Sequence, residues 1–292
     1  ISRSVFYSPI HYCKTDSDLK QLSELLISTA YPNSNSDNNF WNFGGQGLIY
    51  ILLRLLSTQP KEYQNLANLR YLLQRYAQLD KFVVNNASPS VWNDWLGFVS
   101  AEEKIQSGMV SSALVTLDKL SDSGISFLTS KNTLDFSLLL DPDQPYGIFI
   151  KIPESKLSFY SFLLSILYND FFRFINLNKP QKIVTAYLDE FSQLDITDFP
   201  LYATTSRRYN LALVALIQNE SQLIKKYGQS GYQTLYDGSF ASKVIFPGMS
   251  LSLAQNLSQS FGRKGVAIQP QTKPYLSDRE LMTVQELIQL DG

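Results

Sequence analysis

Two adjacent acidic residues, Asp189 and Glu190, follow an apolar run at residues 183–188 that predicts a β-strand buried on both faces. In an open α/β sheet, ligands bind at the carboxyl ends of the parallel strands. One acid at such an edge can hold the water shell of Mg²⁺ while the other polarises an attacking water, as in phosphoryl transfer from ATP. We therefore assign Asp189 to an indirect Mg²⁺ contact and Glu190 to water activation, a Walker B pattern. The alternative is a strand followed by a solvated acidic loop.

A second apolar run, residues 211–217, ends at Gln218. A neutral amide at the tip of a neighbouring strand can contact the γ-phosphate of ATP, whereas its structural alternative is a helix N-cap or an exposed loop residue. Arg207 and Arg208 lie between the two runs. A guanidinium there can reach the nucleotide of a neighbouring subunit as an arginine finger, although arginines on loops are commonly just solvated. The candidate catalytic residues are therefore Asp189, Glu190, Arg207, Arg208 and Gln218, with Asp189 and Gln218 at the nucleotide.

The phosphate-binding loop that would complete this site does not occur, because no Gly-x-x-x-x-Gly-Lys-Ser/Thr motif is found in the 292 residues. Gly44, Gly45 and Gly47 have no following lysine and lie in a helical pattern, so they are not expected to form a phosphate cradle. The chain starts at Ile1 with neither an initiator methionine nor a signal pattern. We expect a fragment whose Walker A loop precedes Ile1, or a degenerate ATPase. The fragment alone is expected to be inactive.

The composition indicates a globular chain, with 44% hydrophobic and 17% charged residues, long enough for two lobes. A net charge of −1 argues against a whole-surface electrostatic grip on nucleic acid, so any such contact must be local. The single cysteine, Cys13, and the single histidine, His11, exclude an internal disulfide and a four-ligand zinc site, which favours a reducing, cytoplasmic setting. The apolar runs are too short to cross a bilayer.

The hydrophobic period predicts an all-α region near the start of the chain. A short strand is expected at residues 4–7, and Thr15 caps a helix that ends near residue 31, before a polar loop at residues 33–39. The remaining helices of this region are predicted at residues 41–56, 63–79, 91–107 and 110–120.

Strands and helices then alternate, which is typical of parallel βαβ units. The strands are predicted at residues 147–152, 183–188, 211–217 and 243–246. The helices are predicted at residues 156–174, 221–227, 250–261 and 278–290, with Gly228 and Gly262 ending two of them.

The order of these segments resembles the type IV secretion coupling proteins, the TraG/TraD class of conjugative ATPases. The similar motifs are Tyr7-Ser8-Pro9-Ile10, Phe40-Trp41, Leu188-Asp189-Glu190-Phe191, Thr204-Thr205-Ser206-Arg207-Arg208-Tyr209, Gln218-Asn219-Glu220-Ser221-Gln222-Leu223, Lys226-Tyr227-Gly228 and Pro274-Tyr275-Leu276-Ser277-Asp278-Arg279-Glu280-Leu281. Two departures are Ser8, where the family has asparagine, and Ser-Gln-Leu-Asp at residues 192–195, where it favours Ala-Asn-Leu-Gly. Each motif is loose, but their order is specific.

The resemblance implies an α/β fold with a RecA-like P-loop NTPase core, present here in part as a mostly parallel sheet, and an inserted all-α domain. The expected division is a strand of the nucleotide-binding domain at residues 1–14, the all-α domain at 15–131 and the Walker B half at 132–292. It also implies a homo-hexamer that uses ATP and Mg²⁺ to pump single-stranded DNA and relaxase or effector protein into a type IV secretion channel. The full-length protein would be anchored at the cytoplasmic face of the inner membrane, whereas this fragment would be soluble.

Two alternatives remain open from the residues. One is a non-hydrolysing adaptor that recruits substrates through the all-α region and keeps the α/β lobe as a scaffold. The other is a different DNA-pumping ATPase of the same fold, such as a chromosome translocase or a plasmid mobilisation ATPase. The inserted all-α region favours the coupling class.

Overall fold

The computed structural model describes residues 4–31, 39–194, 196, 198–268 and 275–290. Its packing divides the chain into two compact units, Ile1–Gln218 and Asn219–Gly292. The domain boundaries expected after residues 14 and 131 do not coincide with this division and stay a prediction.

The first unit contains nine α-helices and two strands within the described ranges, interspersed with 3₁₀ turns. The helices are α1 (Asp16–Ala30), α2 (Asn39–Ser57), α3 (Leu66–Gln74), α4 (Leu79–Asn86), α5 (Pro89–Val99), α6 (Glu103–Thr116), α7 (Ser123–Leu128), α8 (Leu157–Asn178) and α9 (Phe199–Thr205). The strands are β1 (Val184–Leu188) and β2 (Leu211–Ala215). The second unit contains α10 (Glu220–Gln233), α11 (Leu251–Ser260), β3 (Arg263–Ile268), β4 (Tyr275–Glu280) and α12 (Val284–Ile288).

Helix α2 is the centre of the all-α core, since it packs against α1, α3, α5 and α6. Leu48, Ile49 and Leu52 are fully buried, so the helix is apolar on more than one face. Helix α1 begins as predicted, because the Thr15 side chain caps the Asp18 N–H and the Asp18 carboxylate accepts the Thr15 N–H in return. The polar loop predicted at residues 33–39 lies almost wholly outside the described residues.

Two predicted long helices are each broken in the structure. The predicted helix at residues 63–79 is α3, a 3₁₀ turn at Tyr76–Gln78 and the start of α4, and the predicted helix at 91–107 is α5 and part of α6. The second break is stabilised by the Gln106 side-chain amide, which donates to the carbonyls of Val99 (2.9 Å) and Ala101 (2.6 Å). An amide that satisfies the last carbonyls of a helix makes its termination favourable.

The predicted parallel βαβ unit is confirmed: β1 pairs with β2 in parallel, and α9 lies in the connection. The expectation that β1 is buried on both faces is wrong. Ala186 and Leu188 are buried, whereas Thr185 and Tyr187 are exposed, because the described sheet has two strands and packs on one face only.

Three other predicted strands do not form. Residues 4–7 are extended, with the Tyr7 N–H donating to the Leu128 carbonyl and the Phe6 carbonyl accepting from Thr133 N–H, but they join no ladder. Residues 147–152 and 243–246 also lack strand partners among the described residues, and Phe149, Val244 and Phe246 are exposed, Phe149 at 95%. An apolar run forms a strand only where a neighbouring backbone can accept and donate its hydrogen bonds.

The predicted terminal helix at residues 278–290 is wrong for its first residues and confirmed for a short later part. Residues 275–280 form β4, which pairs antiparallel with β3, and only Val284–Ile288 is helical. Thr283 and Glu286 form the capping box that begins α12. The predicted glycine end at Gly262 has a left-handed backbone, with φ of 75°, just after α11. Gly228 interrupts α10 with a non-helical backbone (φ 69°, ψ 174°), but the helix continues beyond it to Gln233.

A buried polar cluster holds α8 against α1 and the segment that precedes it. The Arg173 guanidinium donates to Asp18 Oδ1 (2.8 Å), to Asp170 Oδ1 (2.8 Å) and to the Tyr12 carbonyl (3.1 Å). The Tyr7 hydroxyl donates to the second oxygen of Asp170. Burial raises the pKa of Asp170 to about 7, and Arg173 and Tyr7 offset only part of that rise. Two carboxylates thus share one guanidinium, and the more deeply buried one, Asp170, has the higher pKa.

The Asp170 carboxyl should make stability depend on pH. Its pKa is about 7 in the folded chain and about 4 in the unfolded chain, so its contribution is complete below pH ~4 and is lost as the pH rises to ~7. We expect Asp170→Asn to flatten the fall in the free energy of unfolding across this window, by an amount on the order of 2–4 kcal/mol. Urea unfolding at several pH values measures this slope. Asp143→Asn, an exposed control, should keep it, and equal slopes in the two variants would contradict the assignment.

Candidate active site

The acid pair lies at the carboxyl end of β1, as predicted. Leu188 is fully buried, Asp189 is exposed and Glu190 is half-buried. Glu190 has a left-handed backbone, with φ 48° and ψ 42°, and its N–H donates to Asp189 Oδ1 at 3.0 Å. This conformation costs a residue other than glycine about 1 kcal/mol. The strained turn presents two carboxylates at the sheet edge and then returns the chain to the core.

Phe191 anchors that turn. Its side chain is fully buried and lies 4.3 Å from the Phe199 ring, between centroids. Its N–H donates to the Leu216 carbonyl at 3.0 Å, and the Leu216 N–H donates to the Leu188 carbonyl at 3.0 Å. Sequence reasoning missed Phe191 as a positioning residue, although an aromatic residue directly after two acids is a signal for such an anchor.

These two hydrogen bonds continue the parallel pairing of β1 and β2 beyond the Leu188↔Ala215 pair. Leu216 therefore lies beside the acid pair, and Gln218 follows two residues later at the same edge. Asp189 and Glu190 directly follow β1, and Gln218 lies three residues after the end of β2 and is exposed. An edge that carries two carboxylates and one amide can bind a metal-bound water and a phosphate oxygen.

The Asp189 carboxylate fits an indirect Mg²⁺ contact. Its Oδ1 accepts the Glu190 N–H, and no other described residue is a partner of the carboxylate, so Oδ2 is available to a water. Mg²⁺ usually keeps several waters and takes one or two carboxylates together with substrate phosphates. Across the described ranges, no group of three or more His, Cys, Asp and Glu residues could hold a metal.

The predicted arginines do not join the acids within this chain. Arg207 and Arg208 are exposed on the 3₁₀ turn Ser206–Tyr209, directly before β2. The Asn210 carbonyl accepts the Val184 N–H (2.9 Å), which places this turn at the amino ends of both strands. A strand of five residues separates the two edges by about 15 Å. Within this chain, the two arginines and the two acids therefore lie at opposite ends of the strands.

The glycines of α2 have a packing role, as expected for a helical segment. A Cβ at Gly44 would lie 2.4 Å from Met109, and a Cβ at Gly45 would lie 3.0 Å from Ser112 Oγ. The two glycines therefore allow α2 to approach α6 closely.

The fold and the edge described above define a class of protein. The structure has the fold of a RecA-like P-loop NTPase with an all-α domain, as found in the coupling protein TrwB. The family model for type IV secretory system conjugative DNA transfer matches residues 3–291. The chain belongs to this conjugative DNA transfer family.

Similar solved structures are those of TrwB, described as a bacterial conjugative coupling protein. An unbound form has a TM-score of 0.73 and 18% identity, and the match covers 99% of this chain and 67% of that one. A complex with a non-hydrolysable GTP analogue has a TM-score of 0.71 and 19% identity, with the same coverage. A complex with ADP and Mg²⁺ has a TM-score of 0.71 and 20% identity, again covering 99% and 67%. No curated protein sequence matches the chain.

None of the helices in the described ranges combines the length and the apolarity needed to cross a bilayer.

Removal of the Phe191 side chain should destabilise the turn that carries Asp189 and Glu190. We expect Phe191→Ala to lower the free energy of unfolding by about 3–5 kcal/mol, because it deletes a fully buried ring. Tyr187→Ala, on the same strand but 72% exposed, should change it by less than about 0.5 kcal/mol. Chemical denaturation of the two variants measures the difference, and similar losses would contradict the role given to Phe191.

Proposed function

We propose that this chain forms the Walker B half of an ATP-hydrolysing motor subunit that moves single-stranded DNA, with relaxase or effector protein, into a type IV secretion channel. The observation that carries the proposal is the shared edge at which β1 delivers Asp189 and Glu190 and β2 delivers Gln218. Membership of the conjugative DNA transfer family and the nucleotide-bound forms of TrwB support it.

Each residue at this edge has a distinct role in the proposal. Asp189 holds the water shell of Mg²⁺, and Glu190 takes the proton from the attacking water. Gln218 contacts the γ-phosphate and transmits its loss to the strand that carries it. Mg²⁺, when bound, neutralises the charge that develops on the phosphate oxygens. Asp189 and Gln218 would thus bind the nucleotide, and Glu190 would carry out the proton transfer.

Arg207 and Arg208 would act on the nucleotide of a neighbouring subunit. Their position at the amino ends of the strands is opposite to the acids of the same chain. A guanidinium that acts on a neighbour's nucleotide must lie away from the acids of its own subunit. It can then face the acids of the adjacent subunit. From membership of the conjugative DNA transfer family, we further propose a homo-hexameric ring, with the full-length protein anchored at the cytoplasmic face of the inner membrane.

The Glu190 carboxylate should be essential for turnover. In a full-length protein that contains this chain and a phosphate-binding loop, Glu190→Gln should lower the ATPase rate by about 10²–10⁴-fold, because it removes the proton acceptor. Binding of ATP should be unchanged, since the metal-side carboxylate of Asp189 is retained. Steady-state hydrolysis and nucleotide calorimetry measure the two effects.

Glu103→Gln, at the exposed start of α6, is the matched control and should hydrolyse ATP normally. Normal turnover by Glu190→Gln would refute the motor assignment. A wild-type protein that binds ATP without hydrolysis would instead favour the non-hydrolysing adaptor.

The trans role of the arginines can be tested by mixing subunits. An Arg207→Ala, Arg208→Ala variant and the Glu190→Gln variant should each be inactive alone. Mixed rings should recover part of the ATPase rate, because one interface then contains both intact groups. Lack of recovery in rings that are shown to be mixed would contradict action in trans. The ATPase rates of the single variants Arg207→Ala and Arg208→Ala show which arginine acts on the nucleotide of the neighbouring subunit.

A further inference from the structure

A cavity of about 490 Å³ lies in the all-α part of the first unit, where α1, α3 and α6 meet the first half of α8. This volume is within the range of small-molecule sites. Arg70 of α3 and Lys119, in the turn after α6, supply its positive charge, and Asp118 supplies its negative charge. Leu114 and Phe162 belong to its apolar wall. The cavity shares no residue with the acid edge.

Arg70, which is half-buried, has an unsatisfied Nε in the wall of this cavity. Its Nε is buried and has no hydrogen-bond partner, and no carboxylate of the described residues lies within ion-pair distance of its guanidinium. Two other inward-facing arginines are fully paired: Arg54 contacts Asp16 and Asp94, and Arg173 contacts Asp18 and Asp170. Among the described residues, Arg54 and Arg173 are thus paired with carboxylates, whereas Arg70 is paired with none.

The chemistry of the cavity restricts what it can bind. With Arg70 and Lys119 positive and Asp118 negative, its formal charge is +1. The Lys119 ammonium lies 5.3 Å from the Phe162 ring centroid, so the cation lies at the apolar wall. A polyanion would meet the Asp118 carboxylate, whereas a single oxyanion attached to an apolar group would match both the charge and the wall.

We propose that this cavity binds a small amphipathic anion, whose carboxylate or phosphate group accepts hydrogen bonds from the Arg70 guanidinium and whose apolar part packs on Phe162. The planar fork of arginine is suited to both oxyanions. The proposal is independent of ATP hydrolysis, because the cavity and the acid edge share no residue.

The test uses three probes of similar shape: phenylacetate, phenyl phosphate and the neutral phenylacetamide. We expect one or both anions to bind the 292-residue chain in NMR titrations, with dissociation constants of roughly millimolar or below, and the amide to bind at least about tenfold more weakly. Binding of phenylacetate alone would identify a carboxylate ligand, and binding of phenyl phosphate alone a phosphate ligand.

Arg70→Gln should lower the affinity for the anion by roughly tenfold or more, because it removes the charged fork. Arg75→Gln is the matched control, since Arg75 follows the same helix but is exposed and stacks on Tyr71 at 3.7 Å. The Tm of Arg70→Gln should equal that of the wild type, because no partner in the described fold is lost. Equal affinities of the two variants, equal binding of the amide, no binding of either anion, or a Tm loss specific to Arg70→Gln would each overturn the proposal.

Discussion

The parallel pairing of β1 with β2 is the constraint on which the candidate site depends. Its register matches Leu188 with Ala215, and the hydrogen bonds of Leu216 with Leu188 and Phe191 extend it past the end of the strand. Parallel strands place their carboxyl ends at one edge. The ends of β1 and β2 that precede Asp189, Glu190 and Gln218 are therefore at one edge although they are distant in sequence. A shift of the register by one residue would turn the alternating side chains to the other face.

The buried polar cluster around Arg173 connects the helices of the all-α region with the strands that carry the candidate site. Helix α8 leads directly to β1, and its Arg173 is bound to α1 through Asp18 and to the preceding segment through the Tyr12 carbonyl. On the same helix, Phe172 stacks on Tyr202 at 5.0 Å and contacts Phe199, which in turn contacts Phe191. A continuous set of packed groups thus connects the helical core to the turn that carries the acids. In this arrangement, the carboxylates of Asp18 and Asp170 both contact the single guanidinium of Arg173.

The acid edge could be predicted from local patterns, because an apolar run of strand length followed directly by acids encodes both the element and its end. The hairpin of β3 and β4 could not, since residues 278–290 also carry a helical spacing and only the pairing with β3 decides between the two. The same is true of residues 147–152, whose apolar run predicts a strand that has no partner in the described structure. The breaks after α3 and α5 depend on contacts such as those of Gln106, which sequence spacing does not reveal.

The sequence by itself determined the two strands β1 and β2, the caps at Thr15 and Gly262, and the acids and amide that follow those strands, because each depends on residues close together in the chain. Only the tertiary structure decided that Arg207 and Arg208 lie at the edge opposite the acids. Within the described part of the chain, it also decided that Arg70 has no carboxylate partner, unlike Arg54 and Arg173. Both results depend on which distant segments meet, and that is set by strand pairing and helix packing rather than by local propensity.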